Sequence, residues 1–525
     1  MITKINKKNR VKDMMARGRL VLTIVFSYLL PLTSYFFFSC QSPSVPTQFT
    51  DIRKAPRIYP DYVDVTIPVN IAPLTFELED SCDEIVARFT AGDYQLVCGG
   101  QAVQPEMNDW REMVNKAVGK DIDVEVFIRL DQEWWRYKPF HITVSPDSID
   151  SYLSYRLISP SYVAYEELTL NQRCLETYDE TVMVNNMLCG KEVTGQCVNC
   201  HNYQQYNPQR MQFHARQFHG GTVIAYDGKL SKINMRNDSI LSAGVYPTWH
   251  PWLPLIVYST NKTSQSFHTR NPNRIEVFDA VSDLIAYDVK MNEVTNIENK
   301  EDEFEVFPFW APDGKTLYYC SAHFEFRDTV SHDVEVVSRY RDVKYNIYKK
   351  SFNPDTYRFG PRELVFQADS LNKSATFPRV SPDGRFLMFT LGHYGVFHIW
   401  HREADLYLLD LVNGQIRAMD EINSKETESY HSWSSNGRWV VFSSRRDDGS
   451  YTRPFFTHID ADGKGSKPFE LPQADPDYHR QFMKCYNIPE FMRGPVEVSP
   501  QEFASLLKAS DGKPVKYVQK LSKNE

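Results

Sequence analysis

A mainly β chain ending in a β-propeller is predicted by three observations. Aromatic residues make up 14% of the 525 positions, with 30 Tyr and 32 Phe, a composition suited to strands. Period-two alternation recurs from about residue 57 onward. The C-terminal half repeats a strand–turn–strand unit. Its copies are Tyr246-Pro-Thr-Trp-His-Pro-Trp-Leu-Pro-Leu-Ile-Val-Tyr-Ser259, Phe307-Pro-Phe-Trp-Ala-Pro-Asp-Gly-Lys-Thr-Leu-Tyr-Tyr-Cys320, Phe377-Pro-Arg-Val-Ser-Pro-Asp-Gly-Arg-Phe-Leu-Met-Phe-Thr390 and Tyr430-His-Ser-Trp-Ser-Ser-Asn-Gly-Arg-Trp-Val-Val-Phe-Ser443. Aligned at Trp249, Trp310, Val380 and Trp433, they are 61, 70 and 53 residues apart. Further strand pairs lie between copies, so one unit is about four strands, a propeller blade.

The first 40 residues read as a targeting segment. Lys4, Lys7, Lys8, Arg10, Lys12, Arg17 and Arg19 form a basic start, and Leu20 to Phe38 is an apolar run closed by Ser39 and Cys40. A small residue followed by cysteine at that point resembles a bacterial lipoprotein signal. The resemblance implies lipidation at Cys40, a membrane anchor, and a periplasm-facing place in the cell envelope, at the outer membrane in preference to the inner. A single transmembrane anchor is the alternative. Net charge is −8, which argues against nucleic acid as partner.

Residues 41–56 are expected to be a tether and 57–150 a small sandwich-like β-rich domain. In it Ile85–Phe89 and Tyr94–Cys98 form a hairpin, Ile122–Arg129 and Phe140–Val144 are strands, and Trp110–Ala117 is a short helix. Residues 151–222 are expected to be a connector with a partly helical insertion. Within the connector Arg156, Arg173 and Glu176 read as ordinary surface charges, with buried pairs or haem-propionate contacts as the alternative. The propeller spans 223–475, and 476–525 is a tail with one helix, Pro500 to Ala509. Arg445 to Arg453 reads as a solvated loop, with a channel-facing segment that binds an anionic or sugar ligand as the alternative.

One short motif carries chemistry: Cys197-Val-Asn-Cys200-His201. Cys-x-x-Cys-His is the attachment signature of a c-type haem, with two thioethers and one axial imidazole, and chance placement of these residues gives about 0.004 copies in this chain. It predicts a single covalent haem c on Cys197, Cys200 and His201. Asn207-Pro208 is expected to start a helix carrying Met211 and His214 on one face. Met211 or His214 is then the second axial ligand, with His219 or an open site as alternatives. Arg216 is a candidate partner for a propionate. Six other cysteines permit disulfides, with Cys82–Cys98 and Cys174–Cys189 the near pairs.

The repeat, written F-P-x-W-x-P-D-G-x-x-L-x-[FY], resembles the WD-like repeat of TolB-like periplasmic propellers. The whole layout is similar to propeller lipoproteins of Gram-negative bacteria that carry a haem motif. That likeness implies a cytochrome-type electron-transfer or redox-sensing protein whose propeller face docks a protein partner. Two alternatives stand beside it: a non-catalytic scaffold in envelope or glycan transport whose Cys-x-x-Cys-His is structural, and a haem peroxidase-like enzyme with an open iron site. No hydrolase or nucleotide motif occurs, so an enzyme is the less favoured reading.

Overall fold

The computed structural model describes residues 43–160, 167–190, 196–327, 331–509 and 511–521. The chain separates into two compact units, Met1–Ser44 and Val45–Glu525, and the second carries the architecture below. Cys40 lies outside the described residues. Among the described residues no helix is long and apolar enough to cross a membrane.

The N-terminal part is a seven-stranded sheet with a small two-stranded one beside it, Ile58–Tyr59 with Glu77–Leu78, and not a sandwich. Glu84–Ala91 and Tyr94–Gly100 form the expected hairpin, and Asp121–Leu130 pairs with Glu84–Ala91 on one side and with Glu133–Arg136 and Phe140–Ser145 on the other. The helix Met107–Lys116 covers one face; Trp110 is fully buried there, edge-on to Phe89. This part shares its core with the propeller, since Trp439, Phe456 and Tyr486 join the same apolar cluster. Trp439 Nε1 donates to the Asp147 carbonyl at 3.0 Å, and the Ser435 amide donates to Asp150 Oδ2 at 2.6 Å.

Among the described residues the remainder forms a propeller of six blades, two of them bridged into one nine-stranded sheet. Blade 1 is Cys485–Met492 (innermost), Tyr152–Ile158, Thr169–Cys174 and Glu180–Asn185. Blade 2 is Gln196–Tyr203, Met211–Gln217, Gly221–Tyr226 and Lys229–Asn234. Blade 3 is Val245–Trp249, Leu255–Phe267, Ile275–Asp288 and Glu293–Glu298. Blade 4 is Glu303–Trp310, Thr316–His323, Asn346–Asn353 and Arg358–Phe366. Blade 5 is Ser374–Val380, Phe386–Gly392, Asp405–Asp410 and Ile416–Ala418. Blade 6 is Glu428–Trp433, Trp439–Ser444, Arg453–His458 and Phe469–Glu470. The segment expected to be connector and insertion therefore supplies strands of blades 1 and 2. The segment expected to be a tail supplies the innermost strand of blade 1, so C-terminal residues close the ring.

The repeat turns fold as their chemistry requires. Gly314, Gly384 and Gly437 have φ of 56°, 77° and 69°, which favours glycine. The first copy lacks that glycine. Its His250 Nδ1 accepts from the amides of Trp252 and Leu253 at 3.3 and 3.1 Å, the part Asp313 plays for Lys315 and Thr316 in the second copy. The aromatics at the repeat's fourth position, Trp249, Trp310 and Trp433, are 3–5% exposed. Burying each is worth about 4 to 6 kcal/mol at the usual area coefficient. Beyond blade 1 the helix Pro500–Ala509 sets Phe503 against Phe213, and two short strands extend blades 2 and 3 at their outer edges.

All eight described cysteines are unpaired thiols, so neither expected disulfide forms. The expected surface charges are also buried or tied down. Arg156 and Arg173 are 4% and 2% exposed, and Arg173 donates to the Pro472 carbonyl at 2.7 Å. Arg445, expected in a solvated loop, is buried with its guanidinium 3.3 Å from the Trp400 ring centre.

Candidate functional site: the propeller axis

The six innermost strands share one irregularity. Each has a non-glycine residue with positive φ where its pairing to the next strand slips: Cys200 (54°), Tyr246 (48°), Phe307 (52°), Phe377 (53°), Tyr430 (51°) and Ile488 (53°). Such a conformation costs about 1–2 kcal/mol per residue. The bulge lets the residue turn toward the axis. There Tyr246, Phe307, Phe377 and Tyr430 pack ring to ring at 4.5, 3.9 and 4.8 Å, which offsets the strain. Cys200 and Ile488 take the two remaining positions.

This register aligns the haem-like motif with the repeat. Cys200-His201-Asn202-Tyr203 occupies the place of Tyr246-Pro-Thr-Trp249, Phe307-Pro-Phe-Trp310, Phe377-Pro-Arg-Val380, Tyr430-His-Ser-Trp433 and Ile488-Pro-Glu-Phe491. His201 therefore stands where four blades have proline and blade 6 has His431. The surroundings of the two histidines match. His431 Nε2 shares a 3.0 Å hydrogen bond with the carbonyl of Met388, on the second strand of the preceding blade, and the Phe377 carbonyl also faces it. The carbonyls of Ser154 and Ile488, in the same two positions of blade 1, face His201. Neither His201 nitrogen makes a hydrogen bond of normal geometry, and its ring is 1% exposed. Burial pushes the imidazole down to about 3, nearby Arg156 adds to that, and the two carbonyls oppose it.

Two cavities border the axial ring. The smaller, about 20 Å³, is lined by Cys200, His201, Tyr246, Phe307, Arg379 and Glu490 among others. The larger, about 1210 Å³, is lined by Cys197, Asn199, His214, Arg216, His219 and Arg156 among others. The strand pairing explains the second set. Cys197 lies opposite Arg216 and Asn199 opposite His214, on one face of blade 2.

The expected helix after Asn207-Pro208 is absent, because those residues make a tight turn. Asn207 Oδ1 accepts the Gln209 amide at 2.9 Å, and the chain reverses into the strand Met211–Gln217. In a strand the side chains alternate, so Met211 and His214 part company. Met211 is 1% exposed in an apolar cluster with Met183, Val198 and Phe213, away from both cavities. His214 borders the large cavity, with Nδ1 3.1 Å from Thr222 Oγ1, and burial pushes it down to about 3. Arg216 and His219 border the same cavity.

A c-type haem needs both thiols on one macrocycle and the imidazole open to its centre. Here Cys197 borders the large cavity, whereas Cys200 and His201 border the small one. The unpartnered nitrogens of His201 call for a partner, yet about 20 Å³ holds one water and no porphyrin. The residues as arranged do not fit a haem on His201.

Residues that the sequence reading passed over complete the large cavity. Asn261 and Arg236 lie on its wall. Asp279 nearby is pushed up to about 7 by burial, with hydrogen bonds from Asn261 and Tyr345 and the charge of Arg216 opposing. Ile488-Pro-Glu-Phe491 matches the repeat's x-Pro-x-aromatic core, and that match was the available signal for the closing strand.

By fold the chain is a six-bladed β-propeller with an N-terminal β-sheet domain packed against it. No family model and no curated protein matches it. Solved structures similar to it include the crystal structure of the tricorn protease, 12% identical over 76% of this chain and 36% of that one, with a TM-score of 0.35. Another comes from a structural and mechanistic analysis of two prolyl endopeptidases, 10% identical over 62% of this chain and 42% of that one, with a TM-score of 0.31. The chain spans less than half the length of either.

Proposed function

We propose that this chain is a non-catalytic binding propeller of the bacterial cell envelope, anchored by a lipid on Cys40, in which Cys200 and His201 are structural. The observation that carries this reading is the register of the innermost strands, which makes Cys200-His201 one of six equivalent inner-strand segments. The ligand site is the large axial cavity. Its wall bears the guanidiniums of Arg156, Arg216 and Arg236, with His219 and a neutral His214, against one lining carboxylate, Asp511. Asp279, pushed up to about 7 by burial, cancels only part of that positive charge near neutral pH. With Asn199, Asn261, Thr263, Ser264 and Gln265 on the same wall, the cavity suits a hydroxyl-rich anion such as an acidic oligosaccharide.

The test compares wild type with His201→Pro, which installs the residue four other blades carry at that position. Both are expressed with the haem c maturation machinery. The expected result is a folded variant, no Soret absorbance surviving acid-acetone extraction from either protein, and thermal stabilisation of both by hexuronate-containing oligosaccharides. Arg216→Ala should weaken that binding about tenfold. A covalent haem on wild type that His201→Pro perturbs would overturn the reading in favour of electron transfer.

A further inference from the structure

Blade 3 differs from its neighbours by the length of its central hairpin, Leu255–Phe267 with Ile275–Asp288. Its far end meets the loop of blade 5 between Gly392 and Asp405. Four histidines and two glutamates come together there, but both nitrogens of His398, whose ring is 5.4 Å from that of His401, are already bonded, to Thr376 Oγ1 at 2.8 Å and to the Tyr394 carbonyl at 3.1 Å. Glu276 Oε2 lies 2.9 Å from His401 Nε2, and Glu276 Oε1 accepts from Tyr394 at 2.7 Å and lies 3.5 Å from His268 Nε2. Glu403 Oε1 lies 3.3 Å from His393 Nδ1 and 4.0 Å from His401 Nδ1. Glu403 Oε2 accepts from Asn273 at 3.3 Å.

The arrangement around His401 is asymmetric. Its Nε2 faces the Glu276 carboxylate, so the neutral tautomer that donates there carries its lone pair on Nδ1. That nitrogen is fully buried and has no hydrogen-bond partner; Glu403 Oε1, facing it, has none either. With that tautomer two acceptors face each other across 4.0 Å, a clash that either a proton on Nδ1 or a bound cation relieves. A carboxylate bonded to the far nitrogen of a histidine is the arrangement that orients metal-ligating imidazoles.

We propose that His393 Nδ1, His401 Nδ1 and Glu403 Oε1 bind a divalent transition metal ion of the zinc type, with Glu276 and Asn273 of the blade 3 hairpin as its outer support. Bonds of about 2.0–2.2 Å in a tetrahedral site place ligand atoms about 3.3 Å apart. The His393–Glu403 edge already has that length, and the His401–Glu403 edge must shorten by about 0.7 Å. The two imidazoles would have to draw together as well, and His393, whose side chain is 55% exposed, has room to turn. Water fills the fourth position. Lys344 and Lys373 face His393 and Arg402 pairs with Glu426 nearby, so the site gathers charge of both signs. A tighter cluster, Asp302, Glu303 and His323, is the poorer site, because Glu303 is already bonded to Ser321 and Arg362.

The consequence is mechanical. Thr263, Ser264, Gln265 and Val277 of the hairpin and Phe397 of the loop line the large cavity. A metal here would stiffen the rim through which a ligand enters. The test uses the full chain, stripped with a chelator and titrated with Zn²⁺ by calorimetry and with Co²⁺ by visible absorption. The expected result is one Zn²⁺ per chain and a tetrahedral Co²⁺ band. His393→Ala, at an exposed position that leaves the fold intact, should weaken binding at least about tenfold, and Glu403→Gln should do the same. Asp302→Asn should leave binding unchanged. No Zn²⁺ uptake by wild type, equal affinity in His393→Ala, or loss of binding only in Asp302→Asn overturns the proposal. A protonated His401 alone would give the first of these results.

Discussion

His201 and His431 hold the same position in two blades of one propeller, and the sequence makes one look special and the other ordinary. Both are buried imidazoles pressed between an innermost strand and the preceding blade, and burial pushes each down to about 3. His431 reaches the Met388 carbonyl at 3.0 Å, while His201 makes no such bond. The difference teaches that a motif is read against its repeat before it is read against a cofactor. A histidine in Cys-x-x-Cys-His is also one permitted filling of a slot that proline fills four times.

The largest effect should come from removing the bonded member of the pair. His431→Ala leaves a cavity and strips the Met388 carbonyl of its partner, an expected loss of about 2–3 kcal/mol. His201→Ala leaves a similar cavity but removes no bond and relieves a desolvated imidazole, so its loss should be about 1 kcal/mol. Urea unfolding of both variants measures the gap. Equal losses would break the comparison.

Acid should act on both histidines in the same direction. Each has a folded pKa of about 3 against an ordinary value near 6.5, so its stability contribution is complete above 6.5 and drains away as pH falls from 6.5 toward 3. Buried Asp279 and Glu490, both pushed up to about 7 by burial, act oppositely: their contribution is complete at acid pH and lost as pH rises through 7. The histidine effect is therefore read as a difference. Between pH 6.5 and 4, His431→Pro should lose less stability than wild type, by a few kcal/mol at most. A variant whose pH profile parallels wild type would show that His431 titrates normally.

The fold was legible where the chemistry was local. The turn glycines, the alternating strands and the four strong repeats follow from period and φ preference, and the helix Pro500–Ala509 has its expected bounds. What stayed hidden was long-range. Blade 1 is built from Tyr152–Asn185 and a strand more than 300 residues further on, a pairing no local pattern encodes. Blade 2 was obscured because Cys200 and His201 stand where an aromatic and a proline usually stand. The local spacing of Met211 and His214 suited a helix equally well, and only the strand pairing with Gln196–Tyr203 decides against it.

The smallest expected effect separates the two cysteines of the motif. Cys197 is half-buried on the wall of the large cavity, whereas Cys200 is 2% exposed in the axial ring and burial raises its thiol pKa. A thiolate is the reactive form, and both its population and its access are suppressed at Cys200. Brief iodoacetamide treatment of the native protein should therefore label Cys197 and spare Cys200, as read by peptide mass spectrometry. Cys200→Ala removes one small buried group from a ring held by four aromatics, so it should cost about 1 kcal/mol. If Cys200 were labelled as fast as Cys197, the inner strand of blade 2 would have to leave the ring readily. The motif would then have the freedom that attachment to a macrocycle demands.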